Sequence, residues 1–172
     1  MIMARGLLLV ALAFAALALP AAASPPVSTR FNIIGYEYAF TSKVGSFAGT
    51  GSGNAGGAVY WNATVKHDPL GSDPAYVNGG PFAMTVRGPG SLVDAVVGTF
   101  SHRGGRITPL DRGANCTNQK YLVSSTLKAV STPATSGGAG KFEVTLTHFR
   151  HRFLGRCIAY KARVSGSVRF SY

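Results

Sequence analysis

Short runs in which every second residue is apolar, divided by glycine and proline, constrain this chain more than any other feature. Residues 56–67 show the pattern most plainly. Val59, Trp61, Ala63 and Val65 fall on one side, and Tyr60, Asn62, Thr64 and Lys66 on the other. A period of two is that of a β-strand, whose successive side chains leave opposite faces. The same alternation recurs in short stretches rich in Val, Phe, Tyr and Thr. The chain's 22 glycines and 9 prolines gather mainly between them. That combination predicts an all-β domain.

The expected strands follow from this punctuation. Residues 31–40 form the first, with Ile34, Tyr36, Tyr38 and Phe40 on one face. The Gly/Ser-rich stretch 43–51 reads as an edge strand or a tight bend. Strands are expected at 56–67 and 82–87, with a loop over 68–81, where three prolines and three glycines fall. The turn Gly88-Pro89-Gly90 leads into 92–103, and Gly104-Gly105 is a two-residue hairpin candidate before 106–110. In 118–130, Tyr121, Val123, Leu127 and Ala129 share a face. A loop over 132–140 precedes a closing hairpin. One arm of that hairpin aligns Phe142, Val144, Leu146 and His148. The other aligns Ile158, Tyr160, Ala162, Val164, Val168 and Phe170, and residues 150–156 connect them. Two architectures fit these strands: an antiparallel up-and-down barrel of about eight strands, or a two-sheet sandwich. Short connections between neighbours favour the barrel.

The N-terminus reads as an export signal. A basic start with Arg5 is followed by an apolar run over 6–19, then Pro20 and Ala21-Ala22-Ala23. This is the pattern of a signal peptide cut after Ala23. Residues 24–30 form an extended leader, and 31–172 a single domain. Export predicts a protein that is extracellular or held in a bacterial cell envelope. It also gives meaning to Cys116 and Cys157, the only two cysteines. In an oxidising compartment such a pair is expected to form a disulfide. Asn62-Ala63-Thr64 and Asn115-Cys116-Thr117 match the glycosylation sequon.

Charge narrows the partners. Seventeen Lys and Arg against six Asp and Glu give a formal +11, which attracts acidic polymers and anionic surfaces. The cations are dispersed, without the unbroken run of a binding tail. The densest set is Arg150, Arg152 and Arg156, interleaved with Phe149 and Phe153. Aromatic stacking combined with phosphate contact uses such residues, so these arginines are the candidate polyanion site.

Several chemistries lack support. G-x-S-x-G, the P-loop and the dinucleotide fingerprint do not occur. No metal-ligand spacing of His or Cys occurs, and no metal or cofactor is expected. Asp68 and Asp73 read as turn formers rather than as a calcium loop. Glu37 and Glu143, the only glutamates, both point away from the aromatic faces of their strands, which speaks against a paired-carboxylate glycosidase. Histidine offers more. By alternation His102 lies in phase with Phe100 and His148 with Leu146, each near a strand end. Two imidazoles at one mouth would bind a ligand or exchange protons. His148 and His151, three apart, face oppositely on a strand.

The leading expectation is a secreted, non-enzymatic β-domain. It would bind an apolar small molecule through Tyr36, Tyr38, Trp61, His102 and His148, or an acidic polymer through its arginines. The competing readings are a small ribonuclease-like hydrolase using His102 and His148, and a structural envelope or inhibitor protein.

Overall fold

The computed structural model describes residues 28–53, 57–87, 93–132 and 135–171. The expected signal peptide, the first part of the leader and the Gly88-Pro89-Gly90 turn lie outside these residues. Nine strands account for most of what is described: β1 (Ser28–Phe40), β2 (Val44–Gly53), β3 (Ala58–His67), β4 (Ala75–Gly79), β5 (Pro81–Arg87), β6 (Val93–Asp111), β7 (Gln119–Thr132), β8 (Thr135–Phe153) and β9 (Arg156–Ser171). The last three leader residues, 28–30, already belong to β1.

All pairings are antiparallel, and the strands form one sheet in the order β2-β1-β9-β8-β7-β6-β4-β3-β5. Because β2 also pairs β3 and β6 also pairs β5, the sheet returns on itself as a barrel-like ring of eight strands. The terminal strands complete it, from Ser28↔Ser171 to Tyr36↔Arg163. Closure removes the exposed backbone edge that an open sheet of this length would present. The stretch anticipated as an edge or bend is thus an internal member, β2, paired on both sides. Strand β4, inside the anticipated 68–81 loop, prolongs the line of β5 alongside β3 and β6. Gly79 and Gly80 separate the two with φ of 122° and 120°. A side chain on Gly80 would strike the Thr64 carbonyl, so only glycine permits this break.

Two further differences concern turns. Gly104-Gly105 is not a hairpin. Strand β6 runs through it, and its register against β7 slips between Phe100 and Gly105, with Arg103 at φ 51°. The extra residues bulge outward and leave the strand continuous. The hairpin itself comes later, at the short 3-10 turn Ala114–Cys116. Likewise, the connection expected over 150–156 shrinks to Leu154-Gly155, both at positive φ (47° and 76°).

The interior is packed with rings. Phe142 meets Phe100 at 5.2 Å and both Trp61 and Phe82 at 6.3 Å, while Phe82 reaches Phe170 at 6.0 Å. The Phe82–Phe170 pair is tilted and the other three are edge-on, and ring pairs of this kind contribute about 0.5–1.5 kcal/mol each beyond simple burial. Trp61 is seated by a glycine pair, Gly35↔Gly49, across β1 and β2. A Cβ on Gly35 would lie 2.6 Å from the indole. The bare backbone lets Nε1 donate to the carbonyls of Ile34 (3.1 Å) and Thr50 (3.2 Å).

The arms of β8 and β9 outrun the ring. β7 pairs β8 only as far as His148, and β1 pairs β9 only up to Arg163. The remaining hairpin is held by the disulfide Cys116–Cys157, with Cα atoms 5.6 Å apart. Arg150 strengthens the join, donating through its guanidinium to the Gly113 carbonyl (3.2 Å) and through its backbone amide to Asn118 Oδ1 (3.3 Å).

Candidate functional site

At the end of the ring where β1 and β3 finish and β8 and β9 run on beyond it, a cavity of about 360 Å³ opens beside the core. This lies within the size range of small-molecule sites. Leu146, Leu70 and Ala162 give it apolar walls, and Glu37, His148 and His67 give it polarity. A much smaller void of about 20 Å³ lies next to it, sharing His67, Leu70 and Leu146.

Each polar group is placed by its strand. His148 follows Phe142, Val144 and Leu146 in phase, so it points into the ring, as alternation anticipated. Glu37 follows Phe31, Ile33 and Gly35 on the inner phase of β1. A register slip between Glu37 and Ala39 ends that phase just beyond it. Gly45 makes room for the carboxylate: a Cβ there would fall 2.5 Å from Glu37 Oε1. The result is a hydrogen-bonded pair, His148 Nε2 to Glu37 Oε2 at 3.2 Å, with side chains 13% and 5% exposed. Tyr121 packs edge-on against the imidazole at 5.8 Å. Burial pushes the Tyr121 phenol above its ordinary range, partly offset by the positive charges of Arg150 and Arg112. His67 borders the same space, with Nδ1 2.6 Å from the Asp68 carbonyl. Asp68 in turn accepts from Asn78 Nδ2 (2.7 Å) and the Tyr76 amide (3.0 Å). These two bonds, that from Asn78 the stronger, hold its carboxyl below the ordinary 3.8.

The remaining anticipated residues do not converge here. Tyr36 and Tyr38 were expected inside the ring with Trp61. They lie outside it, 54% and 60% exposed. The two faces of β1 are separated as alternation requires, but the inner one is that of Phe31 and Ile33. Tyr36 is the neighbour of Gly35, whose position beneath the indole admits no side chain. Trp61 is buried against Phe142, and the hollow of about 380 Å³ that it lines together with Tyr36 and Tyr60 lies apart from this cavity, where both tyrosines are exposed. His102 does not share the face of Phe100, because the β6 bulge turns it outward. There it is exposed, with Nδ1 3.3 Å from the Asn78 carbonyl. His102 and His148 therefore lie on opposite sides of the wall. His151 is outside too, stacked edge-on against Tyr160 at 5.1 Å. Of the three arginines, Arg150 is engaged with Gly113 and Asn118, whereas Arg152 and Arg156 are exposed on the hairpin. Glu143 is outside, bonded to Lys141 at 3.0 Å, so the two glutamates never face one another.

Glu37, His67 and Tyr121 are the site residues that pattern reasoning passed over. Glu37 carried a usable signal, since a carboxylate in phase with Phe31 and Ile33 needs a buried partner. No known family model, curated protein or solved structure matches the chain. A carboxylate-oriented imidazole lies at the bottom of an apolar recess, open at one end.

Proposed function

We propose that this chain is a secreted, non-enzymatic binding domain whose cavity takes a small, mainly apolar molecule carrying one hydrogen-bonding group. The observation that carries this reading is the Glu37–His148 pair in a cavity of about 360 Å³ whose walls are otherwise largely apolar. Sites of this kind draw affinity from apolar contact and orientation from a few placed polar groups. A ligand hydroxyl or amide N–H can donate to the carboxylate, which the imidazole holds in place. The disulfide and the signal-like N-terminus support secretion.

Amide-shift titration with a panel of phenols, cyclic alcohols and short-chain amides tests this. Saturable shifts at Glu37, Leu146 and His148 are expected, weakened at least tenfold by Gly45→Ala, which displaces the carboxylate. The proposal fails if no member of the panel moves these amides, or if Gly45→Ala binds as the parent does. A hydrolytic reading passes from His102 and His148 to Glu37 and His148, because a carboxylate that orients an imidazole is one half of a general-base device. Turnover of an ester or phosphodiester that His148→Gln abolishes would decide for it.

A further inference from the structure

Eight of the eleven large apolar side chains exposed among the described residues belong to two neighbouring segments, the outer face of β1 and the β8–β9 hairpin. Isolated exposed hydrophobes are ordinary, but a cluster of this kind marks a surface that something covers. On β1 the stripe runs Ile34, Tyr36, Tyr38, Phe40. Tyr36 is the ladder partner of Arg163 on β9, which connects the stripe to the hairpin. There Phe153, Ile158 and Tyr160 are exposed, and Leu154 at the tip is 86% exposed.

Charge identifies the occupant. Segments 28–40 and 149–163 contain one carboxylate, Glu37, and its side chain is turned into the cavity. Arg152, Arg156, Lys161 and Arg163 are exposed beside the aromatic groups. A surface that is apolar, aromatic and cationic together, with no exposed acid in either segment, complements the boundary of an anionic bilayer. Rings insert at headgroup depth there, and Lys and Arg meet phosphates. A soluble polyanion would use the cations and stack on some of the rings, but would leave the aliphatic Ile34, Leu154 and Ile158 uncovered.

The turn gives a second, independent indication. Leu154 holds φ 47°, a left-handed conformation that disfavours any residue with a branched or bulky side chain. Glycine or asparagine would suit that position better. The conformation sets a large apolar side chain at the outermost point of a stapled hairpin, where it meets no core.

We propose that the β1 face and the hairpin tip form a docking surface for anionic phospholipid membranes, with Leu154 and Phe153 inserting and Arg152 and Arg156 engaging headgroups. Phe40 and Lys161 also line the cavity, so its mouth would open against the bilayer.

Co-sedimentation with vesicles of phosphatidylglycerol and phosphatidylcholine in equal parts, against phosphatidylcholine alone, tests this. The protein is expected to partition onto the mixed vesicles and to be released by salt. Arg152→Gln and Arg156→Gln should each weaken partitioning about fivefold. The double variant Phe153→Ser/Leu154→Asn should weaken it by tenfold or more while circular dichroism stays unchanged. No partitioning onto the mixed vesicles overturns the proposal. So does a Phe153→Ser/Leu154→Asn protein that binds like the parent while the arginine variants do not, which is the behaviour of a soluble-polyanion site.

Discussion

If the Glu37–His148 pair exists for ligand recognition, it should be a poor source of stability, and a double-mutant cycle can separate the two roles. His148→Leu leaves the Glu37 carboxylate, 5% exposed, without its hydrogen-bond partner. Stripping a buried carboxylate of its partner costs about 3–5 kcal/mol, because the charge stays buried without compensation. Glu37→Leu is milder. The loss is then that of one buried polar group deprived of a partner, about 1–3 kcal/mol. The double variant Glu37→Leu/His148→Leu removes both desolvation penalties and fills the space with apolar groups, a change that is often neutral.

The cycle should therefore be strongly non-additive. The double variant should lie within about 1 kcal/mol of the parent, whereas independent sites would add to within about 0.5 kcal/mol. In melting temperature, His148→Leu should lower Tm by roughly 6–20 °C, at about 2–4 °C per kcal/mol for a domain of this size. Urea titration followed by Trp61 emission is a suitable assay, since the single tryptophan is buried beside Phe142 and reports loss of the core directly. Additive losses would refute the reasoning. So would a His148→Leu protein as stable as the parent, because the carboxylate would then have another partner or be neutral.

Two other predictions follow from the same geometry. Breaking the Cys116–Cys157 bridge by Cys116→Ser/Cys157→Ser opens a loop of 41 residues, which should cost about 4 kcal/mol in the chain-entropy description. Thermal unfolding would measure it, and limited proteolysis should cut first in the hairpin around Leu154, where the bonds of Arg150 would still tie the arm to the loop. Asp68 should titrate below 3.8 because its charged form accepts two hydrogen bonds. The stability it lends is complete above the value of the unfolded chain and lost as pH falls through the lower folded value. The Tyr76 amide shift should report that midpoint, and Asn78→Ala should raise it.

Much of the fold was legible because alternation is a backbone property. Val59, Trp61, Ala63 and Val65 face inward as their phase demanded, and so do Phe142, Val144 and Leu146. The disulfide was legible because only one pairing was available. The turns were less so. Gly104-Gly105 has the composition of a hairpin, yet glycine serves a bulge equally well, and only the β7 partner decides between them.

The most instructive difference is β1, because it shows what periodicity leaves undetermined. Alternation sorts residues into two faces and is silent on which one is buried. Hydrophobicity would choose Ile34, Tyr36, Tyr38 and Phe40 over Phe31, Ile33, Gly35 and Glu37. Packing chooses the reverse. The indole of Trp61 needs bare backbone at Gly35 and Gly49 to reach its two carbonyls, and that requirement turns Gly35 inward and carries Glu37 with it. One steric demand on β3 thus accounts for both features of β1 on which the two proposals rest. It buries a carboxylate where His148 can meet it, and it leaves an aromatic stripe outside where a bilayer can. The more apolar face of a strand lies outside when the less apolar face carries the glycine that a neighbouring ring requires.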